Sequence, residues 1–215
     1  MTLNQFISKF CRLPRKIGMK YYILWNRVKF WINGIEFGTG MKVHNVVYLN
    51  KHPKAHMKIG QDFVITSGES FNPLCRNIRA SICLDRSTSV IEIGDNTGLS
   101  SPCIWAKERI TIGNRVRVGG DCILMDSDAH NLDYRVRSSN EQIDKISKDI
   151  ATAKTAPIVI EDDVLIGTRC IVLKGVTIGA RSIIGSGSVV TKSIPADCIA
   201  AGNPCKVIRF INVTV

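Results

Sequence analysis

His130 is the residue of this 215-residue chain whose surroundings best suit acid–base chemistry. It stands in Asp126-Ser127-Asp128-Ala129-His130-Asn131-Leu132-Asp133, with carboxylates on both sides. Imidazole changes charge closer to cellular pH than any other side chain, and a nearby carboxylate can hold the ring and steady its protonated form. A histidine placed this way can serve as a general base. Composition alone gives a lone surface histidine no meaning, so its weight depends on the elements that position it.

Those elements repeat every six residues. Ile160, Ile166, Val172, Ile178, Ile184 and Val190 fall at equal intervals of six. Helical faces recur every 3.6 residues and strand faces every two, so a period of six means short extended rungs separated by turns, a β-helix. Glycine follows the apolar anchor in Ile59-Gly60, Ile93-Gly94, Ile112-Gly113, Ile166-Gly167 and Ile184-Gly185, where a Cβ would obstruct the turn. Small or β-branched residues follow four later, at Val164, Cys170, Val176, Ser182 and Ser188, as a second stacked column. Three sixes make one triangular turn. Residues 93–129 supply about two more turns with one slip, since Ile93, Leu99 and Trp105 are sixes and Ile112 comes seven later. In that register Trp105 is a core anchor, although an outward ring could also stack on a ligand.

The repeat stops at Asp126 and resumes near Pro157, with some 25 residues between, rich in charge and without an apolar six. His130, six after Leu124, arrives where the next anchor would be. A long excursion from a compact repeat adds nothing to the core, and function is its expected purpose.

Lys and Arg number 29 against 18 Asp and Glu, a net charge of +11 that favours anionic partners. No nucleic-acid reading motif accompanies the charge, and nucleic acid is not expected as a partner. Of eight cysteines, Cys103, Cys122 and Cys170 lie four after an anchor and none forms a close CxxC pair. They read as core packing in a reducing, cytoplasmic setting rather than as disulfides or a zinc site. Residues 1–32 interleave Phe6, Phe10, Tyr22, Trp25 and Phe30 with Lys9, Arg12, Lys16, Lys20 and Arg27, a basic amphipathic helical extension interrupted at Pro14. Such a segment either caps the open end of the solenoid or lies peripherally on an anionic inner-membrane surface. No apolar run there is long enough to span a bilayer.

The stretch Asp126 to Arg135, the sixes that follow, and Ala201-Gly202-Asn203-Pro204-Cys205-Lys206-Val207-Ile208 together resemble the hexapeptide-repeat acyltransferases of the galactoside and maltose acetyltransferase type. Within these, the likeness is nearest to enzymes that O-acetylate bacterial surface polysaccharides. The resemblance implies an all-β solenoid, a left-handed parallel β-helix over 33–210 with one protruding loop at 131–156 and a tail at 211–215. It implies a homotrimer with active sites between subunits, and transfer from acetyl-CoA to a saccharide hydroxyl in capsule or lipopolysaccharide assembly, without a metal. His130 matches the general base and Thr168 the backbone oxyanion donor. Thr168, Ser186, Thr191, Lys192, Lys206 and Arg209 match the coenzyme A contacts, and Ser100, Ser101 and Asp128 the acceptor side. Many relatives carry tryptophan where this chain has Leu165, which alters the expected acceptor geometry.

Other readings share the pattern. An acyltransferase of the same fold can act on an antibiotic, an amino acid or a nucleotide-sugar amine, and a non-catalytic solenoid can serve as a scaffold. A zinc enzyme of the γ-carbonic anhydrase kind needs three histidine ligands. Here His44, His52 and His56 lie far in sequence from His130.

Overall fold

The residues six apart land on three different walls of one prism. In a computed structural model that describes residues 13–211, one wall holds the strands Arg109–Ile112, Ile158–Ile160 and Thr177–Ile178 and their earlier counterparts. The second wall holds Gly98–Ser100, Arg117–Val118, Leu165–Ile166 and Ile183–Ile184. The third holds Cys103–Ala106, Ile123–Met125, Ile171–Leu173 and Val189–Val190. The chain passes first, second, third and back to first, so each strand pairs in parallel with the equivalent strand one turn later. Ile160 is registered on Ile178, Ile166 on Ile184 and Val172 on Val190, eighteen residues apart in each case. All six are at most 1% exposed, and the followers Val164, Cys170, Val176, Ser182 and Ser188 are buried with them. A column of stacked aliphatic side chains, each contributing roughly 1.5–3 kcal/mol on burial, therefore runs the length of the molecule.

The corner between the first and second walls explains why glycine follows the anchor. A Cβ on Gly94 would sit 2.7 Å from the Gly113 carbonyl carbon and 2.5 Å from Asn114 Oδ1. That close approach lets side chains ladder between coils: Asp95 Oδ1 accepts from Gln61 N (2.7 Å), Asn114 Oδ1 from Asp95 N (2.8 Å), and Asp162 Oδ1 from Asn114 N (2.8 Å). Each turn thus satisfies a backbone donor of the previous one.

Three expectations need correction. The slip in the early repeat lies elsewhere: Ile104, not Trp105, is the buried anchor registered between Ile82 and Leu124. Only five residues separate Leu99 from Ile104, so Trp105 turns outward and its Nε1 donates to Asp85 Oδ2 at 2.9 Å. The same shift leaves Cys103 on the outer face, partly exposed, while Cys122 and Cys170 are buried. Finally, two excursions leave the prism rather than one. Residues 67–79, between Val64–Thr66 and Ala80–Leu84, form the second.

The amino-terminal helix α1 (Leu13–Ile32) carries Pro14 in its first turn, where proline costs no intrahelical hydrogen bond. It closes the end of the solenoid, where the first coil has no preceding neighbour. Buried Asn26 donates through Nδ2 to Val43 O (3.0 Å) and Asn45 O (2.9 Å), Lys29 Nζ donates to Val47 O (2.6 Å), and Phe30 is fully buried. The extension is thereby a cap on its solenoid-facing side. The amphipathic positions Phe6, Lys9, Phe10 and Arg12, and most of the 211–215 tail, lie outside the described residues.

Candidate active site

The long excursion is a built structure. It leaves the third wall after Met125 and returns at Ile158, closed at its base by an antiparallel bridge between Ser127 and Thr155 and by Asp128 N to Lys154 O at 3.0 Å. It contains two short helices, α2 (Tyr134–Arg137) and α3 (Lys148–Ala151), joined through a small hairpin. Arg86 of an earlier coil reaches across to it, donating to Ile150 O at 3.0 Å.

The base of this excursion presents His130. Ala129 adopts a left-handed backbone at φ 61, and the reversal lets His130 N donate to Asp128 O at 2.7 Å. The carboxylate that holds the ring is Asp149, on α3, nineteen residues away in sequence. Its Oδ2 lies 2.6 Å from His130 Nδ1, and its Oδ1 accepts from Asn131 N at 2.7 Å. The His130 bond, followed by the Asn131 N–H, holds the Asp149 carboxyl below the usual carboxylate range against the opposing effect of burial. An ionised carboxylate has no hydrogen to give. The proton in that contact is therefore on Nδ1, and the neutral ring carries its lone pair on Nε2. The histidine side chain is 61% exposed while that of Asp149 is 10% exposed, so the dyad presents its basic nitrogen outward from a buried anchor.

The two carboxylates adjacent in sequence do other work. Asp133 caps α2 by accepting from Arg135 N at 2.9 Å. Asp128 pairs with Lys174 (2.7 Å), leaving its buried Oδ2 without a partner. Beneath the turn, Asp126 is fully buried and accepts Lys107 N and Glu108 N at 2.8 Å each. Burial raises its carboxyl above the usual range, opposed by those donors. Lys107 is itself only 2% exposed, with Nζ donating to Ala129 O at 3.2 Å and lying 5.2 Å from the centre of the Trp105 ring. Desolvation lowers its pKa. The carbonyl it grips belongs to the residue that aims His130, so Lys107 helps position the His130 ring. Sequence periodicity carried no sign of Asp149 or of Lys107 in these roles.

The other expected residues divide between two corners of the prism. Thr191 and Lys192 follow the strand Val189–Val190 and are exposed at the corner between the third and first walls, which also carries His130, Asp128 and Lys174. Ser100, Ser101, Thr168 and Ser186 stand at the corner between the second and third walls, where Thr168 Oγ1 donates to Gly120 O at 2.5 Å. A third-wall strand of three residues spans roughly 10 Å. Within one chain, therefore, Ser100 and Ser101 do not lie beside His130. Ser100 Oγ instead accepts from Asn72 Nδ2 (2.9 Å), and buried Ser101 accepts from Gly68 N (2.8 Å), both in the 67–79 excursion. Thr168 O accepts from Gly187 N at 2.9 Å, whereas no described residue accepts the Thr168 N–H. The last strand, Lys206–Phe210, returns antiparallel along Cys198–Ala201. This puts Lys206 opposite Ala201, near Ser186, and Arg209 opposite Ile199, toward the far end of the strand. Leu165, 45% exposed, faces outward on the second wall between Arg117 and Ile183. Among the described residues no three His, Cys, Asp or Glu side chains gather as a metal site.

Comparison with known proteins agrees with this architecture. Residues 157–192 match the family model described as bacterial transferase hexapeptide (six repeats). A Schizosaccharomyces pombe protein that bears an acetyltransferase name is 44% identical over 102 residues, which are 47% of this chain and 44% of that protein. The galactoside O-acetyltransferase of Escherichia coli is 37% identical over 103 residues, 48% of this chain and 45% of the enzyme. The chain thus spans less than half the length of these curated relatives. Among solved structures, AntD, an N-acyltransferase from Bacillus cereus, superposes with a TM-score of 0.59 at 14% identity, covering 86% of this chain and 88% of that one. At such identity the likeness speaks for the fold. The coils and the likeness to AntD agree on the fold, a left-handed parallel β-helix, and residues 157–192 carry hexapeptide repeats similar to those of bacterial transferases.

Proposed function

We propose that the chain is an acetyl-CoA-dependent O-acetyltransferase whose acceptor is a saccharide hydroxyl, and that two copies of the chain build each site. The single observation that carries this reading is the His130–Asp149 dyad, with Nδ1 held by a buried carboxylate and Nε2 left as the base. In the reaction, the acceptor oxygen attacks the thioester carbonyl and its proton passes to Nε2. The oxygen of the tetrahedral intermediate takes the negative charge and is met by the Thr168 N–H. The carbon–sulfur bond then breaks, and the leaving sulfur recovers the proton from the imidazolium. No acyl-enzyme is required.

The division of residues between two corners supports a shared site. In a threefold assembly, the corner bearing His130, Asp128, Thr191 and Lys192 meets the neighbour's corner bearing Thr168, Ser186 and Lys206. The coenzyme A arm then lies along the small residues at 185–187, with Lys192, Lys206 and Arg209 for its phosphates. The unpartnered oxygen of Asp128 offers an acceptor for a sugar hydroxyl. The similarity to galactoside O-acetyltransferase supports an oxygen acceptor; the role proposed with it is cytoplasmic, in capsule or lipopolysaccharide assembly. An antibiotic, an amino acid or a nucleotide-sugar amine as the acceptor is the alternative that an acceptor panel decides.

Mixing two inactive variants tests the shared site. His130→Ala spoils one corner and Ser186→Trp blocks the other. Random co-assembly of equal amounts restores a good pair of corners at roughly a quarter of interfaces, and activity returns to about that fraction. Mixed assemblies that form but stay inactive would place the site within one chain and sink this reading.

A further inference from the structure

We propose that the outward face of α1 docks the protein on the surface of an anionic lipid bilayer. The helix has two apolar sides, and only one is used by the solenoid. Asn26 and Phe30 face the first coil and are buried. On the opposite side Ile17, Tyr21, Leu24, Trp25, Val28 and Trp31 are between 41% and 73% exposed. Their spacing of i, i+4, i+7, i+8, i+11 and i+14 puts them in one stripe along the helix. A cap needs only the inner side, and the second stripe calls for an occupant of its own.

Charge selects that occupant. The exposed Lys20 and Arg27 border the stripe, one turn from Leu24 and Trp31, and no Asp or Glu occurs anywhere in the helix. Two copies packed stripe to stripe would set these cations against one another with no carboxylate in either helix to pair them, a costly juxtaposition. A negatively charged headgroup layer satisfies them at about 1 kcal/mol per basic residue. Tyr21, Trp25 and Trp31 suit the same environment, since amphipathic aromatic rings settle at the boundary between headgroups and acyl chains. The net charge of +11 draws the whole molecule toward such a surface. Among the described residues no helix is long and apolar enough to cross a membrane, so the contact is peripheral. Because Asn26, Lys29 and Phe30 already fix the helix on the solenoid, the stripe is ordered before it meets lipid, and binding does not have to offset folding of the helix.

Co-sedimentation of the full chain with lipid vesicles tests the proposal without reference to catalysis. The protein pellets with phosphatidylcholine vesicles containing one-third phosphatidylglycerol, remains in solution with phosphatidylcholine alone, and dissociates as salt is raised. The double variants Trp25→Ser/Trp31→Ser and Lys20→Glu/Arg27→Glu each lower partitioning at least about tenfold, with thermal melting unchanged because all four side chains are exposed. Failure to pellet with anionic vesicles would overturn the proposal, as would undiminished binding by both variants. A vesicle-free protein whose oligomer size falls in the Trp25→Ser/Trp31→Ser variant, with no lipid binding by either form, would assign the face to a second copy instead.

Discussion

Replacing Asp149 with asparagine changes almost nothing in volume and removes one charge from behind the proposed base. In the native chain the two carboxylate oxygens each accept one N–H, from His130 Nδ1 at 2.6 Å and from Asn131 N at 2.7 Å. An amide has one oxygen and one NH2 group and cannot accept both. If the oxygen keeps the Asn131 N–H, the NH2 group faces His130 Nδ1, which must then accept; the ring hydrogen moves to Nε2, and the base is lost. If the amide flips, its NH2 opposes the Asn131 N–H and the turn that aims the ring loses its tie. Either way the reactive tautomer is populated only at a cost. We expect kcat to fall by about 10²–10³-fold, within the range that a positioned general base contributes, while KM for acetyl-CoA stays within about threefold because Asp149 is remote from the proposed coenzyme A contacts. Initial rates of thiol release give both constants, and thermal melting confirms that the variant is folded. A folded Asp149→Asn protein with kcat within about threefold of the parent would refute the assigned tautomer and the dyad's role. The acid side gives a second reading. Because the folded-state pKa of Asp149 is depressed, chiefly by His130, its contribution to loop stability is present above the ordinary carboxylate value and disappears as pH falls through the lowered one. Amide exchange at Asn131 should therefore stay slow on mild acidification and quicken only below about pH 4.

Further outcomes follow from the cap and from the corner that carries Thr191 and Lys192. Asn26→Ala leaves the Val43 and Asn45 carbonyls without their donor beneath α1, and should lower unfolding stability by roughly 1–3 kcal/mol, read from chemical denaturation. No loss would mean that the helix does not seal the first coil. Lys192→Ala removes an exposed cation and should weaken coenzyme A binding about fivefold or more in calorimetric titration, with melting unaltered. Unchanged affinity would remove Lys192 from the site.

What was legible in the sequence was whatever the solenoid repeats. Ile160 through Val190 are spaced by the rise of the coil itself, so the period passes directly into the register of Ile160 on Ile178. The break at Asp126 was equally legible, because a periodic core makes its own interruption visible. Residues whose partners are set by loop geometry were not. Asp149 reaches His130 only because the excursion folds α3 back over its base, and no spacing encodes that return. Lys107 is enclosed by Ala129 O and the Trp105 ring, contacts that no sequence period encodes. Trp105 was misplaced because a five-residue rung moved the anchor to Ile104, and the apolar tryptophan mimicked the expected phase. The 67–79 excursion carries no broken run of sixes around it, so nothing announced it. The family resemblance supplied Thr168, Ser186 and Lys192 as positions, and the prism then distributed them over two corners. A linear motif carries no information about which corner meets which copy.

The most direct test of the central claim is acceptor-dependent release of coenzyme A thiol from acetyl-CoA, measured with purified protein across a panel of oligosaccharides. The account predicts release that rises with at least one sugar acceptor, transfers acetyl to a hydroxyl of that sugar, and drops by about 10²–10⁴-fold in His130→Ala while the fold is retained. A folded, assembled protein that binds no acetyl-CoA and releases no thiol with any acceptor, or a His130→Ala variant as active as the parent, would contradict it.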